Sequence, residues 1–357
     1  MLSRACPRIR LLLVLLVTGA AGCQRATEPV FTFSTDGSSR AGLVALEDGV
    51  LVGNEAGVLV RLNRRGEPVW KVKFAQEVAA RPAVVTDSVI AGTVGGELSR
   101  LALADGAERW HLTGKPAVLA GLVADEASVY VLGPDGAVRA HALDTGQVRW
   151  RRPAPKPEES HIDPSQRLPS PVLAGTMLVV CLGDAGLVGL ATEDGTVRWS
   201  RPLSQVLGMT HEAGTLYVSM RSGRMAALGM EDGALRWEQT VAPVLTSPPT
   251  YLQGVLWAGT EPPQLLAVSP RDGRRLSGIA LPSPLVTQLA EHGEQLLVPT
   301  SGTEGQLLAL RRQGGAPLFS VRTDTPLRTT PVVIGDQIFV LGLDGRVLSW
   351  NIRAPVP

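Results

Sequence analysis

Residues Glu193–Trp199 read EDGTVRW, and the chain repeats this pattern. NRRGEPVW ends at Trp70, LADGAERW at Trp110, LDTGQVRW at Trp150 and MEDGALRW at Trp237. In all five copies a glycine stands four residues before the tryptophan. Asp-Gly and Thr-Gly are turn dipeptides, because glycine tolerates the positive φ that tight turns need. Each copy therefore reads as a turn followed by a strand that carries an indole.

A second glycine sets the period. It falls at Gly57, Gly96, Gly136, Gly186, Gly223, Gly305 and Gly345, with Pro263 in the sixth slot. The intervals are 39, 40, 50, 37, 40, 42 and 40 residues. Two residues after each comes an apolar side chain: Leu59, Leu98, Val138, Val188, Met225, Leu265, Leu307 and Val347. Within a unit, a Pro-led strand such as RPAVV (Arg81–Val85), SPVLA (Ser170–Ala174) or TPVVI (Thr330–Ile334) comes first. An apolar strand, a strand after the periodic glycine and the Trp strand follow. Four short strands per ~40 residues is the unit of a β-propeller blade. A solenoid of β-turns is the competing architecture, but its hexapeptide or nonapeptide repeats are much shorter.

The ends argue for a closed ring. The eighth unit stops after RVLSWNI (Arg346–Ile352) without a Trp strand. PVFTFSTD (Pro29–Asp36) matches PLFSVRTD (Pro317–Asp324), the outer strand of the seventh unit. Phe31 thus aligns with Phe319, which occupies the Trp position. The expected fold is all-β, an eight-bladed β-propeller of four-stranded antiparallel blades over residues 29–353. Residues 29–36 close the last blade and remove the edges of an open array.

Hydrophobic residues make up 44% of the 357-residue chain and aromatics only 4%, so recurrent tryptophans need a reason. Trp70, Trp110, Trp150, Trp199 and Trp237, with Phe319 and Phe31, are expected as inter-blade wedges, since an indole buries roughly 150–250 Å². Blade six has Ser277 instead. The competing reading is a ring of ligand-stacking sites. Arg109, Arg149, Arg198 and Arg236 precede four of the tryptophans and are expected on the opposite strand face. There they would form a solvated or inter-blade ladder.

The N-terminus reads as an address. Arg4, Arg8 and Arg10 precede LLLVLLV (Leu11–Val17) and TGAAGC, which ends at Cys23. This is a basic region, a short apolar region and a small-residue cleavage site. Residues 1–22 are read as a signal peptide and 23–28 as a tether. Without the three early arginines the charge is 31 − 33 = −2. A near-neutral chain with no basic run speaks against a nucleic-acid partner. Cys6 leaves with the signal, so Cys181, within the apolar LVVCLG, is expected to be a buried hydrophobe rather than a nucleophile.

The longest interval, Gly136 to Gly186, holds a Pro-rich charged loop, residues 151–169. Long loops on a rigid scaffold commonly bind partners. Arg152, Lys156, Glu158, His161 and Asp163 are the candidate contact residues; with Glu159, the last three could also form a weak metal cluster. Elsewhere there is no Cys-x-x-Cys, His-Glu-x-x-His, Walker loop or G-x-S-x-G. No catalytic residue, metal or cofactor is assigned.

The Cys23 segment resembles a bacterial lipobox, although Ala20 stands where Leu or Val is commoner. That resemblance implies cleavage after Gly22, acylation (palmitate included) of Cys23 and, with Gln24 next, sorting to the outer membrane. The Gly-x-x-x-Trp units over residues 29–352 resemble the tryptophan-docking repeat of quinoprotein (PQQ-like) propellers. Together the two features resemble the BamB family of outer-membrane propeller lipoproteins. The resemblance implies a non-catalytic, periplasm-facing scaffold, a monomeric ring within a complex. Its partners would be the outer-membrane β-barrel assembly subunit or other envelope proteins. The alternatives are a ligand-binding or sensor propeller and, third, a PQQ-dependent dehydrogenase; those dehydrogenases carry a vicinal cysteine pair that this chain lacks.

Overall fold

The computed structural model describes residues 28–114, 116–118, 120–154 and 168–352. Among these residues thirty-three strands form eight separate sheets, and every described pairing is antiparallel. The first blade shows the plan: Leu43–Leu46, Gly49–Gly53, Val58–Asn63 and Pro68–Lys73, paired in chain order. The eighth blade consists of Val332–Ile334, Gln337–Leu341 and Arg346–Asn351, and its outer strand is Phe31–Ser34. Phe31 pairs with Ser349 and Phe33 with Val347, so the chain's beginning closes its own ring. In the sixth blade the inner strand is broken in two, Val244–Leu245 and Thr250–Leu252, around Ser247-Pro248-Pro249. Proline cannot donate to a ladder, which accounts for the break.

The core is not one mass. Eight apolar clusters each lie between two neighbouring blades. One joins Leu51, Leu59 and Trp70 of the first blade to Val89, Ala91 and Leu101 of the second. Another joins Val50, Val52 and Val60 of the first to Phe339, Leu341 and Val347 of the eighth, with Phe31 and Phe33 packed alongside. Every blade thus buries both faces, which is why its middle strands are apolar without alternation: Ser88–Gly92, Ser128–Leu132 and Met177–Cys181 are buried at every position.

Each docking tryptophan sits on the face toward the following blade and donates its indole N–H to a backbone carbonyl there. Trp70 donates to Leu103 (2.9 Å), Trp110 to Leu143 (2.9 Å), Trp150 to Thr192 (2.9 Å), Trp199 to Met230 (3.0 Å) and Trp237 to Pro270 (2.8 Å). The turn glycine of that next blade lies flat under the ring. A Cβ added at Gly106, Gly195, Gly233 or Gly273 would come within 2.5–2.8 Å of the indole, and each glycine has φ between 62° and 73°. The glycine of EDGTVRW therefore serves the preceding blade's tryptophan as well as its own turn. Phe31 rests on Gly66 in the same way.

Two sequence readings need correction. First, the register of the fourth blade is offset by one. Leu187, not Val188, pairs with Arg201 as Leu59 pairs with Val72. Leu187 faces the fifth blade and Val188 the third. A 3-10 turn at Gly183–Ala185 delays the positive-φ glycine by one residue, to Gly186. Second, of the two arrangements expected for the arginines before the tryptophans, the solvated one holds and the inter-blade ladder does not: Arg109, Arg149, Arg198 and Arg236 are all exposed. A bulge beside each Trp leaves residues 109, 149, 198 and 236 without a cross-strand partner. Bulges re-aim side chains, and Arg109, Arg149 and Arg236 bond within their own blades, to Asp87, Ser128 and Thr215. The sixth blade carries Ser277 at the Trp position, as expected, and two strands inward Trp257 stands opposite Ala267, where the third and fifth blades have Tyr130 and Tyr217. Trp257 is 2% exposed and packs toward the seventh blade. In that position its buried N–H has no acceptor.

Truncating a large buried aromatic costs about 3–5 kcal/mol. Trp199→Ala should fall in that range in urea unfolding, and Trp199→Phe should cost less. Gly233→Ala, which touches no other strand pairing, should still destabilise by more than about 1 kcal/mol, because the methyl meets Trp199. A neutral Gly233→Ala would refute the docking account.

Candidate functional site

The described residues hold no cluster of three or more His, Cys, Asp or Glu side chains suited to a metal. Among them, Ser99, His111, Glu97 and Glu108 come closest to a catalytic arrangement. His111 Nδ1 lies 3.0 Å from Ser99 Oγ, and its Nε2 lies 3.7 Å from Glu97. Ser99, however, is fully buried, and no substrate can reach its hydroxyl. Cys181 is 2% exposed, and burial, the larger effect, pushes its thiol up to about 11. A buried thiol that stays protonated at neutral pH is a packing group.

The geometry concentrates accessible polar groups at one place, the mouth of the central channel. The residues leading into the inner strands of seven blades, all but the fifth, line a cavity of about 440 Å³ there. At the mouth the residues just before each inner strand form a ring: Gly42, Arg81, Gly121, Ser170, Pro248, Gln288 and Thr330. Arg40 and Arg328 reach in from the neighbouring first and eighth blades. The sequence reading missed these arginines, although a signal was present. RPAVV has arginine where SPVLA and TPVVI have small hydroxyl residues.

Of the long connection 151–169, Leu168 reaches the channel mouth, as does Ser170 just beyond it. Arg152 ends the outer strand of the third blade and is exposed. Beside it, a second, mainly apolar cavity of about 560 Å³ lies between the third and fourth blades, lined by Val138, Arg152, Ala154, Val180 and Val188 among others. The other candidate contacts, Lys156, Glu158, His161 and Asp163, lie outside the described residues, as do the signal segment and Cys23. No described helix is long and apolar enough to cross a membrane.

An eight-bladed ring with indoles docked on the next blade's turn, and with its last blade completed from the N-terminus, is a propeller of the PQQ-like repeat class. The family model described as outer membrane protein assembly factor BamB matches residues 18–169, 55–211, 205–276 and 264–354. The chain belongs to that family. A BamB from Burkholderia pseudomallei is 27% identical over 168 residues, 44% of this chain and 43% of that protein, so the match spans less than half of the relative. The crystal structure of BamB from Moraxella catarrhalis superposes with a TM-score of 0.74 at 18% identity, over 92% of this chain and 98% of that one. A quinohemoprotein alcohol dehydrogenase from Comamonas testosteroni gives a TM-score of 0.72 at 14% identity, over 92% and 77%. At such identities both structural likenesses speak for the fold alone.

Native protein should resist thiol reagents at pH 8 and react at one site only after unfolding, if Cys181 is the sole thiol left after Cys23 is acylated. Rapid labelling of native protein with dithionitrobenzoate would contradict the packing role.

Proposed function

We propose that this protein is a lipid-anchored, non-catalytic scaffold on the periplasmic face of the outer membrane, assisting the assembly or insertion of β-barrel proteins. The observation that carries this reading is the family match over nearly the whole propeller, residues 18–354 in overlapping segments. Supporting it is the closed ring, completed by the N-terminal strand Phe31–Ser34. In this reading residues 1–22 are removed, Cys23 carries the acyl chains, and the ring offers its loops to the barrel-assembly subunit. Two or more acyl chains give stable anchoring. The connection 151–169 is the proposed contact, because it is the longest between blades and its described end, Leu168, borders the channel mouth.

Pull-down of the full lipoprotein from solubilised outer membrane should recover the barrel-assembly subunit; reproducible absence would sink the scaffold reading. Deleting Pro155–Gln166 should reduce that recovery at least several-fold while the unfolding midpoint is kept. Cys23→Ala should abolish acyl labelling and release the protein to the soluble periplasmic fraction. PQQ with calcium should support no dye reduction by the purified protein; PQQ-dependent dye reduction would favour the dehydrogenase reading instead.

A further inference from the structure

The channel mouth is charged out of keeping with the rest of the ring. Of its lining residues, Arg40, Arg81 and Arg328 are basic and only Glu77 is acidic, a formal 3 − 1 = +2. The three arginines come from the first, second and eighth blades, which are consecutive around the closed ring. Arg40 is held by Glu55 at 3.1 Å. Arg81 and Arg328 make no hydrogen bond or ion pair with any described residue, and both keep solvent contact.

The residues equivalent to Arg81 on either side of it in the ring are Gly42 and Gly121, so neither neighbouring position sets a side chain against it. Arg81 and Arg328 are both exposed to solvent; the crowding of the channel walls lowers the Arg81 pKa, though a guanidinium remains charged at any physiological pH. Two accessible guanidinium groups without a counter-charge are available to an anion. A few polar groups, including the Ser170 and Thr330 hydroxyls and the Gln288 amide, border the same space. About 440 Å³ is the size of a small-molecule site. It is too narrow for a folded partner and fits a compact ligand.

We infer that the channel mouth is a binding site for a small multivalent oxyanion, a polycarboxylate or a phosphate ester, clamped between Arg81 and Arg328. Guanidinium groups engage both chemistries bidentately. The site meets the proposed partner contact only at Leu168, its arginines lie outside that connection and its ligand class differs, so either reading can fail alone.

Isothermal titration of the full purified protein at low ionic strength, with citrate and with pyrophosphate as probes, tests it. One saturable site is expected, weakening as salt is raised. Arg81→Gln should weaken binding about tenfold or more, and Arg81→Gln with Arg328→Gln should abolish it. Glu77→Gln, which removes the sole acidic lining residue, should tighten binding about threefold or more. This gain does not depend on an arginine variant folding. Preference for citrate would mark a polycarboxylate ligand and preference for pyrophosphate a phosphate ligand. If neither probe saturates a site, or if the double variant binds as the wild type does, the inference is wrong.

Discussion

The architecture depends on one contact: an indole laid on the turn glycine of the next blade, with its N–H bound to a carbonyl beside that turn. Eight separate sheets share no hydrogen-bond ladder, so only side-chain packing and a few polar contacts hold one blade to another. The docked tryptophan adds to the apolar burial a directional bond that fixes the height of one blade against its neighbour. In the first two blades an arginine reinforces it, because Arg61 and Arg100 donate to the same carbonyls, of Leu103 and Leu143, that accept from Trp70 and Trp110. A single residue type does two jobs, filling volume and setting register.

Closure follows from the same constraint. A ring of blades has no free edge only if the last blade meets the first on equal terms. Phe31 supplies that equality: on the strand Phe31–Ser34 it lies against Gly66 of the first blade as each indole lies against its own glycine. The eighth blade is therefore stapled by residues more than 300 positions apart, and opening it exposes one blade's unpaired strand together with an apolar face. The sixth blade shows how much tolerance the plan has. There Ser277 takes the docking position, and Trp257 fills volume toward the seventh blade without a hydrogen bond.

Rigidity on this scale bears on function. A ring in which five junctions carry a docked indole presents its loops and its axial channel as the accessible polar features. The third-to-fourth connection is the longest in sequence, and its end at Leu168 borders the channel. The channel brings fixed positive charge from three consecutive blades. A scaffold that holds a partner on its loops and a small anion on its axis would keep the two sites about a rigid body, each readable without the other.

Much of this was legible in the residues. Blade number, strand count per blade and the closing role of the N-terminal strand followed from periodic glycines and one displaced copy, because turn chemistry and nearest-strand pairing are local. The positions of Trp70, Trp110, Trp150, Trp199 and Trp237 were visible for the same reason. Other features were decided only in three dimensions. The arginines before the tryptophans stay exposed, but a bulge that no dipeptide announces turns three of them to partners in their own blades. Val188 was placed by counting from a glycine that sits one residue late. Cross-strand register alone sets Trp257 level with Ser277. Arg40, Arg81 and Arg328 are three basic residues in separate repeats. They become one site because ring closure brings the eighth, first and second blades side by side. Sequence determines what pairs with its neighbours; only the closed ring determines what converges on its axis.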